Sequence, residues 1–586
     1  MYTSQRWSLK DLLPEPGTPE MEQFFSEVEA RVSAFEEKRV RLAYDVDEAF
    51  FLEMLKAYEQ LHADSARLIA YAYLWFSENT ANQASLAFRN RAQQFAADLQ
   101  NRTLFFVLWW KTLDDEDAAR LSTHTGDVRY FLETLRNFKE HVLTEPEEKI
   151  INLKNVNGVQ ALVTIYDVIT NALMFHLTVD GEEKALTRGQ LSFYMTSPDP
   201  NLRAAAYQEM NRVYAAQANI LAQIYIARVL DWQSENIKLR HFAAPISVRN
   251  LENDIPDPVV DTLLQVIRNN APLFQRFFRF KAKALGIDTL QRSDLYAPLS
   301  KVTKTYTFDT AVQLVEAAYR AFSPLLADKA MQVLSERHLD SEVRPYKMDG
   351  AFCYDPLPTV TPWVQVNFQG KISDIATLAH ELGHAVHAML AANHSPLTFL
   401  SALPMAETAS VFGEMLLSAK LLSEEPDLNV RRALLGTLLD DAYATIIRQG
   451  YFVIFEKQAH QMIRDGSTLD ELCTVYMDNL HEQFGDALRV SDEFRFEWLS
   501  IPHIYETPFY CYAYAFGNLL VLALYRKYKE LGPAFVPDYL RILTYGGSAR
   551  PQHIIGEAGF DIASPDFWQG GFDVLAGMLD ELDTIG

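Results

Sequence analysis

The segment around residue 380 carries side chains that are able to bind a metal ion and activate water. It reads Asp374-Ile-Ala-Thr-Leu-Ala-His380-Glu381-Leu-Gly-His384, a His-Glu-x-x-His pattern among helix-forming residues, with Ser373 and Asp374 as candidate caps. Residues four apart lie on one face of an α-helix, so both histidines can reach a single zinc ion. The glutamate then lies beside that ion, where it can accept a proton from the attacking water. We therefore predict one Zn²⁺ with His380 and His384 as ligands and Glu381 as the general base.

A third ligand must come from another part of the chain, because zinc in hydrolases usually has three protein ligands and an open fourth position. After Pro396 and Pro404, a new helix is predicted to open at Met405, and its small residues would permit close packing against Gly383 on the first helix. Glu407 and Glu414, two turns apart, are the candidates in this helix. We predict Glu407 as the third ligand because it is closer to the small residues. Its alternative role is that of a first-turn carboxylate that only complements the helix dipole.

Three further side chains near this motif are predicted to have supporting roles. Glu414 is expected to orient a ligand histidine. His387 is rotated off the ligand face, and His394 follows the expected end of the helix. We expect surface or supporting positions for both histidines.

The elements that must position these residues are mainly helical. Apolar residues recur three and four apart in long segments such as Met21 to Arg41 and Leu202 to Leu239. Strand character is concentrated just before the motif, in Tyr346 to Tyr354 and Thr361 to Phe368. We expect a mainly α fold, with a small β-sheet beside a zinc helix near 374–392. The second strand is either an open edge on which a peptide can pair or an ordinary interior strand.

Length and composition narrow the class of protein. The chain has 586 residues and 49% hydrophobic residues, which predicts at least two lobes. A formal net charge of -24 repels nucleic acids and anionic lipid surfaces, so we expect neither as a partner. Three widely spaced cysteines, together with a first segment that lacks a signal-like apolar run, favour a cytoplasmic location. No apolar stretch is long enough to cross a bilayer.

The motifs resemble those of the thimet oligopeptidase and oligoendopeptidase F family, whose pattern is His-Glu-Leu-Gly-His followed by a Glu-x-Ala-Ser segment. Here these are residues 380–384 and 407–410. The likeness to the oligoendopeptidase F branch extends over nearly the whole chain. It includes Arg6-Trp-Ser-Leu-Lys-Asp-Leu, Asn155-Val-Asn-Gly158 before Tyr166-Asp167, Ile501-Pro-His503-Ile-Tyr505 and Pro508-Phe-Tyr-Cys-Tyr-Ala-Tyr514. The segment 507–514 departs from the glycine-rich stretch of the thimet branch.

The resemblance implies a zinc-dependent endopeptidase that hydrolyses short unstructured oligopeptides. In that family the equivalents of His380, His384 and Glu407 bind zinc, and the equivalent of Glu381 is the base. It also implies a two-lobed helical, zincin-like body with a deep channel that admits peptides and spares folded proteins. We expect an N-terminal helical region over 1–185 and a catalytic region over 186–586. The oligomeric state is open.

Hydrolysis passes through a tetrahedral oxyanion, which a tyrosine hydroxyl or a histidine N–H commonly helps to stabilise. His503 and the tyrosines that follow it are candidates, and we favour His503 and Tyr510. The alternative for any one of these tyrosines is core packing. In a neighbouring helix, Arg448 and Glu456 are expected to form a structural ion pair.

Two other functions compete with this hypothesis. An exopeptidase on a similar zinc helix would need a charged group that grips one end of the substrate. A binding or chaperone-like protein would have kept the helical channel without the chemistry. The complete set of His380, Glu381, His384 and Glu407 argues against the second alternative.

Overall fold

The chain forms two compact units, each assembled from three separate segments. The structure is a computed structural model that describes residues 2–42, 45–299 and 304–585. The first unit comprises Met1–Lys139, Thr303–Ser423 and Lys527–Phe560, and the second comprises Glu140–Val302, Glu424–Arg526 and Asp561–Gly586. The boundary predicted between residues 185 and 186 lies inside the second unit, and the two predicted regions stay a prediction.

Helices dominate both units, which confirms the predicted mainly α class. In chain order they are α1 Pro19–Glu37, α2 Glu48–Glu78, α3 Gln83–Thr112, α4 Asp115–Ser122, α5 Arg129–Asn137, α6 Glu145–Asn157, α7 Val159–Asn171, α8 Arg188–Met195, α9 Pro200–Ala216, α10 Ala218–Trp232, α11 Pro245–Glu252, α12 Asp257–Asn269, α13 Ala271–Leu285, α14 Phe308–Phe322, α15 Pro324–Ser335, α16 Ile372–Leu390, α17 Leu403–Ala406, α18 Ser410–Glu424, α19 Leu428–Ala442, α20 Arg448–Arg464, α21 Leu469–Phe484, α22 Pro502–Glu506, α23 Tyr512–Leu531, α24 Val536–Thr544, α25 Pro551–Glu557 and α26 Pro565–Ile585. Short π-helical turns, Gln233–Leu239 and Tyr443–Ile447, follow α10 and α19. Among the described residues, none of the helices has an apolar stretch long enough to cross a membrane.

The strands are short and form three small sheets. They are β1 Phe175–Val179, β2 Glu182–Leu186, β3 Leu290–Gln291, β4 Leu339–Asp340, β5 Phe352–Tyr354, β6 Trp363–Gln365 and β7 Leu488–Arg489. Strands β1 and β2 form a hairpin whose turn, Asp180-Gly181, has φ of 54° and 83°. Such left-handed backbone suits a tight hairpin turn and favours these two residue types. Strands β3 and β7 pair in parallel.

The three-stranded sheet lies just before α16 in sequence, as the strand pattern predicts. Its order is β4-β6-β5, with β4 parallel and β5 antiparallel to β6. Strand β6 is therefore the central strand, and its three residues are all buried. The open-edge alternative for Thr361 to Phe368 is wrong, because β6 uses both of its sides for pairing. Within this sheet β5 is an edge strand.

Helix α16 is held in the first unit by contacts on several sides. It packs against α14, α15, α24 and the strands β5 and β6. Its apolar face is fully buried, as shown by Leu378, Leu382 and Ala385 at 0% exposure. From α14, the hydroxyl of Tyr319 donates a hydrogen bond to the carbonyl oxygen of Ala379. These contacts thus fix the orientation of α16 about its own axis and its position within the first unit.

Candidate metal centre

The start of α16 is fixed by one carboxylate. Asp374 Oδ2 accepts hydrogen bonds from the backbone N–H groups of Gln369 and Lys371 at 2.7 and 3.0 Å. A carboxylate there holds the backbone that leads into the helix and complements the helix dipole. The helix then continues without interruption through residues 380–384, so the backbone of both histidines is held in regular helical geometry.

Three side chains converge at one point of the first unit. His380 Nε2 and His384 Nε2 are 3.1 Å apart. Glu407 Oε2 lies 3.4 Å from the first of these nitrogens and 3.5 Å from the second. Tetrahedral zinc with bonds of roughly 2.0–2.1 Å places its ligand atoms about 3.4 Å from one another. The donor set and its spacing therefore fit a zinc ion with three protein ligands.

Glu407 lies between two helices rather than in the first turn of one. Helix α17 ends at Ala406 and α18 begins at Ser410, whereas the sequence pattern predicts one continuous helix from Met405. At the break, the carbonyl of Thr408 accepts a hydrogen bond from the Tyr539 hydroxyl at 3.0 Å. The Ser410 hydroxyl then donates to Glu407 Oε2 at 2.6 Å, which orients the carboxylate.

Close contact between α16 and the start of α18 brings Glu407 to the histidines. A Cβ atom at Gly383 would lie 2.6 Å from both the Ala409 carbonyl oxygen and the Ser410 Cα. Gly413, further along α18, leaves room for the Tyr319 side chain of α14, because a Cβ atom there would lie 2.1 Å from that hydroxyl. The backbones of α16 and of the segment that starts α18 therefore touch at Gly383, as the small residues predict.

Glu414 contacts the first ligand histidine. Its Oε1 lies 2.6 Å from His380 Nδ1, which leaves Nε2 of that ring directed toward the other two ligand atoms. Burial opposes the charged form of His380, but the hydrogen bond and charge of Glu414 outweigh burial and raise its pKa to about 9. Burial lowers the pKa of His384 to about 4. A carboxylate on the far nitrogen of a ligand histidine fixes its tautomer and its orientation.

Glu381 is only 7% exposed, and it lines a cavity of about 550 Å³ together with His380 and His384. It accepts a hydrogen bond from the backbone N–H of Cys353 on β5. Burial raises the pKa of Glu381 to about 7, and the charges of Glu407 and Glu414 add to this effect. A carboxyl group with such a pKa can both accept and release a proton near neutral pH.

The two nearby histidines have other partners. His387 is 7% exposed and lines the same cavity, and burial lowers its pKa to about 4. His394 Nδ1 lies 2.6 Å from Asp127 Oδ1, and its Nε2 lies 2.7 Å from the carbonyl oxygen of Thr544. Neither histidine belongs to the cluster of three ligand atoms.

His503 and Tyr510 lie in the second unit, next to each other. Their rings are nearly parallel with centroids 6.0 Å apart, and the Tyr514 hydroxyl lies 3.4 Å from His503 Nε2. Burial lowers the pKa of His503, so a neutral imidazole is favoured. Their assignment to the oxyanion stays a prediction.

The expected ion pair between Arg448 and Glu456 is wrong. Arg448 Nη2 contacts Glu497 Oε1 at 3.3 Å. Glu456 is fully buried and accepts a hydrogen bond from the backbone N–H of Phe509 at 2.9 Å. Positions eight apart are separated by about 12 Å along a helix, more than two turns, so the two side chains lie too far apart to pair.

Sequence reasoning missed several residues of this centre. Ser410 orients Glu407, and Cys353 and Asp355 line the cavity. A signal for the last two was present, because alternate residues of a strand lie on the same face and β5 precedes the motif closely.

Comparisons with known proteins identify the family of the chain. The family model described as "Peptidase family M3" matches residues 193–574, and one described as "Oligopeptidase F" matches residues 109–175. The chain is 27% identical over 545 residues to Group B oligopeptidase PepB of Streptococcus agalactiae, covering 90% of this chain and 89% of that protein. It is 25% identical over 591 residues to oligopeptidase PepF of Bacillus subtilis, covering 99% and 87%. The fold is similar to that in the crystal structure of oligoendopeptidase-F from Enterococcus faecium, with a TM-score of 0.73 and 22% identity. The match covers 96% of this chain and 99% of that chain.

Proposed function

The chain belongs to peptidase family M3, and from that premise we propose that it is a zinc-dependent endopeptidase of short, unstructured oligopeptides with Glu381 as general base. The observation that carries the proposal is the triangle of ligand atoms, with sides of 3.1, 3.4 and 3.5 Å. These distances match those between ligands of one tetrahedral zinc ion. His380, His384 and Glu407 would hold the ion, and one coordination position would stay open.

Each residue of the centre has a separate task. A bound zinc ion supplies Lewis acidity, which lowers the pKa of water and polarises the scissile carbonyl group. Glu381 accepts the proton of the attacking water and then donates it to the leaving amine. Glu414 holds the ring of His380 in place, and Ser410 holds the carboxylate of Glu407. His503 and Tyr510 are proposed as donors to the tetrahedral oxyanion because an imidazole N–H and a phenol can both serve in this way.

The substrate class follows from the surroundings of Glu381. The edge strand β5 lines the same cavity, and an extended peptide can pair with such an edge through its backbone. Backbone pairing is largely independent of side chains, which supports action on many peptides. With a net charge of -24 and three free cysteines, we propose peptides as partners, rather than nucleic acids or membranes, and a cytoplasmic location.

The test compares wild type with Glu381→Gln and Glu407→Ala. Zinc content and cleavage of an internally quenched peptide blocked at both ends are measured for each. We expect one zinc and cleavage for wild type, one zinc without cleavage for Glu381→Gln, and loss of zinc for Glu407→Ala. Cleavage by Glu381→Gln would disprove the base, and a wild type without zinc would disprove the metal centre.

The same substrate distinguishes the competing functions. An exopeptidase fails on a peptide blocked at both ends but cuts the free peptide. A protein that only binds peptides cuts neither. Cleavage of the blocked peptide at an internal bond is expected here.

A further inference from the structure

A carboxylate without an assigned task lies in the wall of the cavity that contains Glu381. Asp355 directly follows β5, and its side chain lines this cavity together with those of Ala351 and Cys353. Phe352 lines the cavity as well, and the rings of Phe352 and Tyr354 pack on Tyr73 with centroids 5.2 and 5.3 Å away. Asp355 therefore lies in the cavity wall at the end of the edge strand β5.

The carboxylate of Asp355 forms no ion pair with a lysine, arginine or histidine among residues 2–42, 45–299 and 304–585. Burial raises the pKa of Asp355 to about 7. Burial raises the pKa of the Cys353 thiol, and the charges of Asp355 and Glu381 add to this effect, so these two carboxylates share one neighbourhood.

The rest of the cavity wall suits an aliphatic chain. Besides polar groups such as Glu381, the wall contains Phe399, Leu400 and Leu403, with Ala388 of α16 and Ala391 just after this helix. The cavity, at about 550 Å³, is large enough for a long side chain. Lysine and arginine combine an aliphatic stem with a charged end, so their stems can cover apolar surface while the charge meets a carboxylate.

Resting on the proposed peptidase function, we infer that Asp355 is a specificity-determining residue that receives a lysine or arginine side chain of the peptide substrate. The apolar wall contacts the stem, and the Asp355 carboxylate accepts hydrogen bonds from the ammonium or guanidinium group. A charge-assisted hydrogen bond of this kind corresponds to about tenfold in kcat/KM. The protein's negative charge favours the approach of cationic peptides but does not select a position in the peptide.

The experiment uses quenched peptides that are blocked at both ends, so that a free α-amine cannot act as the cation. A single lysine is moved through the positions on either side of the cleaved bond. At the position with the highest kcat/KM, lysine is then compared with norleucine and glutamate. We expect the order lysine, norleucine, glutamate for wild type, with about tenfold between the first two.

Variants of Asp355 then identify the residue responsible. In Asp355→Asn the ratio of lysine to norleucine should fall to about one, and in Asp355→Lys glutamate should become the preferred residue. The control Asp349→Asn removes one exposed charge outside the cavity wall and should keep the wild-type ratio. Melting temperature and zinc content confirm that each variant is folded and loaded.

The possible outcomes separate this inference from the proposed function. If wild type cleaves no blocked peptide, the proposed function fails. If wild type cleaves the norleucine peptide but the ratio in Asp355→Asn equals that of wild type, only the Asp355 inference is overturned. An equal loss of preference in Asp349→Asn would also overturn the Asp355 inference. The selectivity would then come from the overall negative charge of the protein rather than from one carboxylate. A preference that depends on a free α-amine would assign the cation to the peptide terminus and refute a side-chain site.

Discussion

Gly383→Ala should disrupt the metal centre without altering any side chain that contacts the ion. In an exposed helix this substitution stabilises by roughly 1 kcal/mol, because alanine is the better helix former. Here the added Cβ would lie 2.6 Å from two backbone atoms, the Ala409 carbonyl oxygen and the Ser410 Cα. Backbone atoms cannot rotate aside as a side chain can, so the start of α18 must move.

The size of this movement predicts how far zinc affinity and stability should fall. Restoring ordinary van der Waals contact requires a shift of about 0.8 Å, whereas zinc sites hold ligand distances within roughly 0.2 Å. Glu407 lies three residues before Ser410 and is hydrogen-bonded to it, so it is carried along. We expect zinc affinity to fall at least tenfold, as is common when support for a ligand is lost. Overpacking should also destabilise by about 1–3 kcal/mol.

The assay is competition for zinc with a chromophoric chelator, together with thermal unfolding of the zinc-free protein. Gly577→Ala in α26 is the matched control, because a Cβ atom there meets nothing within 4 Å. It should raise the melting temperature and leave zinc affinity unchanged. If folded Gly383→Ala binds zinc as tightly as wild type, the contact between α16 and α18 does not position Glu407.

Three further predictions concern other charged groups. Glu414→Ala should weaken zinc binding by roughly 10–100-fold in the same chelator assay, because His380 loses the carboxylate on its Nδ1; unchanged affinity would contradict this. Burial raises the pKa of Glu456 to about 8 from its ordinary 4.5, so the stability it contributes is complete below pH 4.5 and is lost as the pH rises through 8. Glu456→Gln should therefore gain melting temperature relative to wild type between pH 5 and pH 8.5, and a difference that does not change with pH would refute this. Lys281 is fully buried and binds both carboxylate oxygens of Asp440 at 2.7 Å, so Lys281→Met should destabilise by about 3–5 kcal/mol. The double variant with Asp440→Leu should recover most of that loss in thermal unfolding, and no recovery would argue against an isolated buried charge.

The local part of the metal centre is predictable from sequence. The spacing of His380 and His384 and the position of Glu381 between them depend only on the periodicity of one helix. That helix was predicted near 374–392 and spans Ile372–Leu390. The mainly helical class follows for the same reason, since apolar periodicity and helix caps are properties of neighbouring residues.

Contacts between segments that are distant in sequence decided the position of Glu407, the order of the strands and the partner of Arg448. Glu407 lies in a break between α17 and α18, where the hydroxyl of Tyr539, far along the chain, donates a hydrogen bond to the Thr408 carbonyl. The order β4-β6-β5 makes β6 central and β5 the edge, which no pattern within either strand reveals. Position 448 pairs with Glu497 instead of Glu456 because contacts between different elements, rather than closeness in sequence, determine the partner.

Sequence by itself thus determined the helix, its two histidines four residues apart, the glutamate between them and the family pattern, because these residues lie within a few helical turns of one another. Only the tertiary structure decided how Glu407 approaches that helix, and that Asp355 shares a cavity with Glu381. Those relations depend on backbone contact at Gly383 and on strand pairing. Both arise from packing between segments that the chain brings together only when it folds.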